Sequence, residues 1–213
     1  MAKNILVLCA HNDDQILGAG GTLAKFAKEG MKITTVIFSY GEGSHPWLKR
    51  EEVIRMRVKE CSEANKVIGG GDVIYLGLKE GLFNEEIEAK NIKEKIKRII
   101  LRKKPIKIFT HSIDDPHPNH QAVYKATLDI VGEIGHSCNV YSFNVWNIIN
   151  IRKRNSPKLV VDITDTFRYK VEAFKCHKSQ KPTRISLMWN VYFQAWLNGL
   201  KNNVRYAEVF YKL

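Results

Sequence analysis

A chain of 213 residues, 44% hydrophobic and 26% charged, is long enough to bury one substantial core without staples and reads as a single domain over 1–213. Its four cysteines (Cys9, Cys61, Cys138, Cys176) form no C-x-x-C pair. No apolar run nears the roughly 18 residues that span a bilayer, and the about six before His11 are too few for a secretory h-region. These features exclude a disulfide framework, a thiolate zinc site and a membrane span, and predict a reduced, cytoplasmic setting.

In chain order, strand-like segments fall at 4–10, 32–38, 73–76, 106–110, 139–143 and 158–163. Helical periodicity covers 18–29, 48–68, 85–103 and 118–132. Gly69-Gly70-Gly71 closes the second helix. The third carries Ile92, Ile96, Ile99 and Ile100 as a one-sided stripe and stops at Lys103-Lys104-Pro105. Two further helices, 166–176 and 186–202, precede an apolar tail at 206–211. The alternation predicts an α/β fold: a Rossmann-like three-layer sandwich with a mostly parallel sheet and a small C-terminal helical/strand appendage. The net charge of +12 is spread along lysine-rich segments, including Lys93 to Lys107 and Arg152-Lys153-Arg154. It comes with no zinc finger, helix-turn-helix or RNP-like motif, so it reads as solvated surface, and nucleic acid is not the expected partner.

Chemistry-bearing residues cluster at two strand ends. His11-Asn12-Asp13-Asp14 follows the first strand, and Asp114-Asp115-Pro116-His117-Pro118-Asn119-His120 follows the fourth. Open α/β sheets bind ligands in the crevice beyond such ends. A catalytic zinc takes three His or carboxylate ligands and keeps one position open. His11 and Asp14, three apart in a tight turn, can face one point with Asp13 turned aside, and either His117 or His120 can supply a third ligand. Taken singly, each residue has an ordinary explanation: Asp13 and Asp14 as helix caps, Asp114 and Asp115 as loop residues. Taken together they favour a metal site. Gly18-Ala19-Gly20-Gly21 has Leu23 where a dinucleotide fingerprint needs glycine, and reads as close helix–sheet packing. Cys176-His177-Lys178-Ser179-Gln180 has no spaced partner pair.

On these motifs the chain resembles the PIG-L/LmbE family of zinc-dependent N-acetylglucosaminyl deacetylases. The family's A-H-P-D-D-E stands here as Ala10 to Gln15, A-H-N-D-D-Q, and its H-P-D-H as His117 to His120, H-P-N-H. Arg57-x-x-Glu60, Leu76-Gly77 before Glu80-Gly81, Val161-Asp162-Ile163-Thr164 before Lys170, Ala173 to Gln180 and Ala207-Glu208-Val209-Phe210 extend the likeness along nearly the whole length. The resemblance implies a metal-dependent hydrolase that removes the N-acetyl group of an N-acetylglucosamine-type sugar or conjugate, with zinc, or ferrous iron, as cofactor. It implies His11, Asp14 and His120 as metal ligands, Asp13 as general base, His117 as oxyanion stabiliser or helper of amine departure, and Arg57 and Glu80 as sugar contacts. A protonated His117 would then hydrogen-bond the developing negative charge. Asn12, Gln15 and Asn119 depart from the family pattern, and the last removes a carboxylate expected to raise the pKa of His117. They motivate an alternative, a catalytically degenerate metal- or sugar-binding protein of the same fold. Residues 39–47 and Trp189 are candidates for an aromatic sugar platform, and a homo-oligomer is allowed.

Overall fold

The computed structural model describes residues 3–135, 138–146 and 156–213, the side chains of 182 and 183 excepted. The basic stretch at 152–154 lies outside them. Seven strands, β1 (Asn4–Cys9), β2 (Lys32–Ile37), β3 (Val73–Tyr75), β4 (Lys107–His111), β5 (Asn139–Phe143), β6 (Lys158–Asp162) and β7 (Ala207–Lys212), form one sheet in the order β3-β2-β1-β4-β5-β7-β6. The first five are parallel, with Ile5 opposite both Ile33 and Lys107. β7 runs antiparallel to both β5 and β6. The C-terminal segment is thus the expected helices and strand, and its strand is woven into the sheet between its two predecessors.

The central strand β1 is apolar throughout because both of its faces are covered, the usual condition of a parallel sheet. Ile5, Val7 and Cys9 pack with Leu23, Phe109, Phe174 and Phe210 on one side. Leu6, Leu8 and Ala10 pack with Val36, Ile96, Ile100 and Val123 on the other. Helices α1 (Asp14–Lys28), α2 (Arg50–Val67) and α6 (Phe167–Lys175) cover the first face, and α3 (Phe83–Ala89), α4 (Ile92–Lys103) and α5 (Pro118–Ile134) the second. Helix α7 (Lys181–Lys201) lies against β7. The glycines of α1 do serve packing: a Cβ on Gly21 would stand 2.7 Å from Ile163 Cδ1.

Three boundaries differ from the sequence reading, the last being that of α7, which begins at Lys181 rather than at residue 186. Helix α1 begins at Asp14, inside the acidic cluster, rather than at residue 18. The single helix expected over 85–103 is two, because Asn91 adopts a left-handed conformation (φ 50°, ψ 44°) that ends one helical path and opens another. No helix among the described residues is long and apolar enough to cross a membrane.

The chain leaves β1 toward β2 and β3, then returns to β4 on the other side of β1. The carboxyl ends of β1 and β4 therefore flank the point where strand order reverses, which is where such sheets open a crevice.

Candidate active site

The two motifs meet at that crevice. In the turn from β1 into α1, the His11 backbone N–H donates to Asp14 Oδ2 (2.7 Å), folding the carboxylate back toward the strand end. At the head of α5, Pro118 opens the helix and His117 is its N-cap, with Nδ1 accepting the Asn119 N–H (3.2 Å). One turn further in, His120 is fully buried. Its Nε2 lies 3.2 Å from His11 Nδ1 and 3.4 Å from Asp14 Oδ1. Ligand-capable atoms of His11, His117 and His120 lie within 4.8 Å of one another, as do those of Asp14, His111 and His120.

Hydrogen bonding decides which of these five side chains offers a lone pair. His120 Nδ1 lies 2.9 Å from Asp115 Oδ1, which keeps a proton on Nδ1 and turns Nε2 toward His11 and Asp14. His117 Nδ1 is occupied as an acceptor, so the neutral ring carries its proton on Nε2 as a donor. His111 Nε2 accepts the Ala10 N–H (3.1 Å), which occupies its lone pair. His11 Nδ1, Asp14 Oδ1 and His120 Nε2 lie together, a donor set suited to a tetrahedral zinc with one position open once the two imidazoles give up the protons on those nitrogens.

The charges reinforce one another. Burial opposes ionisation of Asp14, yet His120, His111 and His11 outweigh it and hold the carboxyl well below its usual range. Burial likewise disfavours a charged His120, but Asp14 and the Asp115 hydrogen bond push it up to about 10. Burial, then the charge of His120, lowers His111 to about 4. Burial, with His11 and His120 adding to it, lowers His117 to about 4. Burial and these charges favour a neutral His117 near pH 7, where the resemblance implies a protonated ring. The Asn119 side chain faces His11 (3.2 Å to Nε2) rather than His117, so the residue at 119 acts on a different imidazole from the one expected.

Asp13 stands beside this cluster, and Arg57 Nη2 donates to its Oδ1 at 3.4 Å. Arg57 is buried, with Nη1 3.9 Å from Glu60 Oε2. Glu60 in turn accepts from the backbone N–H and hydroxyl of Ser179 (2.6 and 2.7 Å). Glu80 accepts from the Ser39 hydroxyl (3.3 Å) and lies 3.9 Å from His11 Nε2. His11, Asp13, Asp14, Arg57, Glu80 and His117 all line one cleft of about 210 Å³. His120 sits behind it. Trp47 and Trp189 do not line the cleft; its aromatic wall is Trp146.

Sequence reasoning missed two participants, His111 and Trp146, and gave no role to two others. His111 is hidden in a strand, and Glu60 was seen only as part of a motif. Asp115 passes for a loop residue, although its Oδ1 accepts the His117 N–H (3.1 Å) and its Oδ2 those of Val145 (3.1 Å) and Trp146 (3.2 Å). Trp146 offered no signal at all.

A sheet of this order, with a His/Asp cluster beyond the ends of β1 and β4, defines an α/β protein with a candidate metal centre at its switch point. The chain belongs to the PIG-L family: the family model described as GlcNAc-PI de-N-acetylase matches residues 6–131. It is 26% identical over 194 residues to a probable N-acetyl-alpha-D-glucosaminyl L-malate deacetylase 2 of Bacillus cereus, covering 84% of each protein. It is 28% identical over 244 residues to the 4-oxalmesaconate hydratase of Pseudomonas putida, covering 97% of this chain and 87% of that one. The solved N,N'-diacetylchitobiose deacetylase from Pyrococcus horikoshii shares the fold at a TM-score of 0.82 and 23% identity, over 100% of this chain and 84% of that one.

Proposed function

We propose that this chain is a zinc-dependent N-deacetylase acting on an N-acetylglucosamine-type sugar or conjugate. The observation that carries the reading is the convergence of His11 Nδ1, Asp14 Oδ1 and His120 Nε2, with His117 beside them as a neutral N–H donor facing the same cleft. His11, Asp14 and His120 would hold the metal, with ferrous iron the other candidate. The chemistry a bound zinc supplies is Lewis acidity toward the acetyl oxygen and a lowered pKa for the attacking water.

This chain's own residues supply the rest. Asp13, fixed by Arg57, takes a proton from the water as its oxygen bonds to the acetyl carbon, and returns it to the nitrogen as the C–N bond breaks. The products are acetate and a free amine. His117 donates Nε2–H to the oxygen on which charge develops, and a neutral imidazole serves this as well as a cation. Arg57 and Glu80 border the space a sugar would fill.

The test is acetate release from a panel of N-acetylglucosamine conjugates, with and without chelator, alongside metal content. Asp13→Asn should lose about 10²–10⁴-fold in turnover while retaining stoichiometric metal. Full activity in that variant removes the assigned base. Metal binding without acetate release from any conjugate, or hydration of an unsaturated acid instead, overturns the deacetylase reading.

A further inference from the structure

Helix α7 is apolar on two opposite faces. Leu187, Val191 and Ala195 are buried against the body of the protein. On the outside, Ile185, Trp189, Tyr192, Phe193, Trp196 and Leu200 recur at helical spacing and stand open: Trp189 is 81% exposed, Ile185 and Leu200 61% each, and Trp196 50%. A second apolar face of this extent, left open, marks an interaction surface.

We infer that this outer face is the two-fold interface of a homodimer. At about 150–250 Å² per aromatic side chain, the six residues leave on the order of 600–700 Å² open. That exceeds the largest apolar patch of an ordinary monomer and approaches the roughly 800 Å² per partner of a stable interface. The composition is that of an interface centre, rich in Trp, Tyr and Phe and depleted of charge. Residues 185–200 include no charged side chain in a chain of net charge +12. Two copies repel one another elsewhere and can meet here without burying an ion. Crossing near Tyr192 and Phe193 at about −50°, the helices would splay their basic ends, Arg184 and Lys201, more than about 10 Å from the partner's, beyond the reach of screened repulsion. Tyr192 is braced for this position by edge-on contact with the Phe167 ring (centroids 5.0 Å apart). A lipid surface fits less well, because a membrane-seeking helix sets cations along its apolar stripe. Here the cations of α7 stand only at its ends, Lys181 and Arg184 before the stripe and Lys201 after it, and none lies along it.

The test is the solution mass of the full chain over a wide concentration range at low and high salt. Wild type should be dimeric, and more tightly so at high salt, which screens the like charges. The double variant Trp189→Lys/Trp196→Lys should be monomeric with an unchanged circular-dichroism spectrum. As a second measurement that keeps the native surface, Phe193→Cys should form disulfide-linked dimers under mild oxidation and Ile185→Cys should not. A monomeric wild type, an unchanged mass in the double variant, or no cross-linking at 193 overturns the proposal. So does a monomer that binds vesicles of anionic phospholipid in a salt-sensitive way.

Discussion

Asp115 has no exposed surface, yet it touches two halves of the cleft: one oxygen faces His120, and the other receives the Val145 and Trp146 N–H groups. Asp115→Asn keeps the shape and removes the charge that makes His120 a strong ligand. Competition against a chromogenic chelator should show zinc binding weakened by about 10–100-fold; unchanged affinity would mean that the carboxylate only supports the loop. His177 poses a different question, since it is fully buried and neither ring nitrogen has a hydrogen-bond partner among the described residues. Burial lowers its pKa. The unfolded chain therefore takes up a proton below about pH 6.5 that the folded chain refuses. Its contribution to stability is intact above that pH and is lost as pH falls, by at most about 1.4 kcal/mol per unit. Urea midpoints from pH 7 to pH 5 should fall less steeply in His177→Phe; parallel slopes would dismiss the effect. At this scale the seven residues read from the sequence do converge, because strand-end motifs report their own location. His111 stayed hidden and Asp115 stayed without a role because their importance comes from contacts that a linear motif does not record.

Elements show the same division. The strands were legible to within about two residues because both-face burial writes itself as unbroken apolar runs. The start of α1 was not, since aspartates signal caps and the helix in fact begins on Asp14, where the carboxylate is bonded back to the turn. The break at Asn91 was equally invisible: the isoleucine stripe continues beyond it, and a single left-handed residue leaves no periodic trace. Glycine placement makes a quantitative prediction here. Gly21→Ala drives a methyl into Ile163, which is fully buried, and should cost about 1–3 kcal/mol in thermal unfolding. Gly132→Ala on α5 meets nothing within 4 Å and should instead gain about 0.4–1 kcal/mol. Losses of equal size at both positions would mean that backbone freedom, not space, governs α1.

For the molecule as a whole, the least legible feature was the course of the C-terminal strand, because strand order depends on pairings far apart in sequence. A buried charge network holds it. Glu208 on β7 accepts from the Gly21 and Thr22 N–H groups of α1 (3.2 and 2.7 Å) and pairs with Lys170 of α6 (2.6 Å). Lys170→Met would strand that carboxylate and should cost about 3–5 kcal/mol. Lys170→Met/Glu208→Gln should recover much of the loss in denaturant titration; no recovery would assign the cost to packing alone.

The interleaved strand also dictates an order of events during synthesis. Among the described residues β6 lies at the sheet's edge with β7 as its one neighbour, and β7 follows it in the chain only after two helices. While the nascent chain is elongating, β1 to β5 can pair as they emerge, but β6 waits with its backbone groups unmatched. The protein thus passes through an interval in which two open strand edges face solvent together, a hazard for association with other unfinished chains.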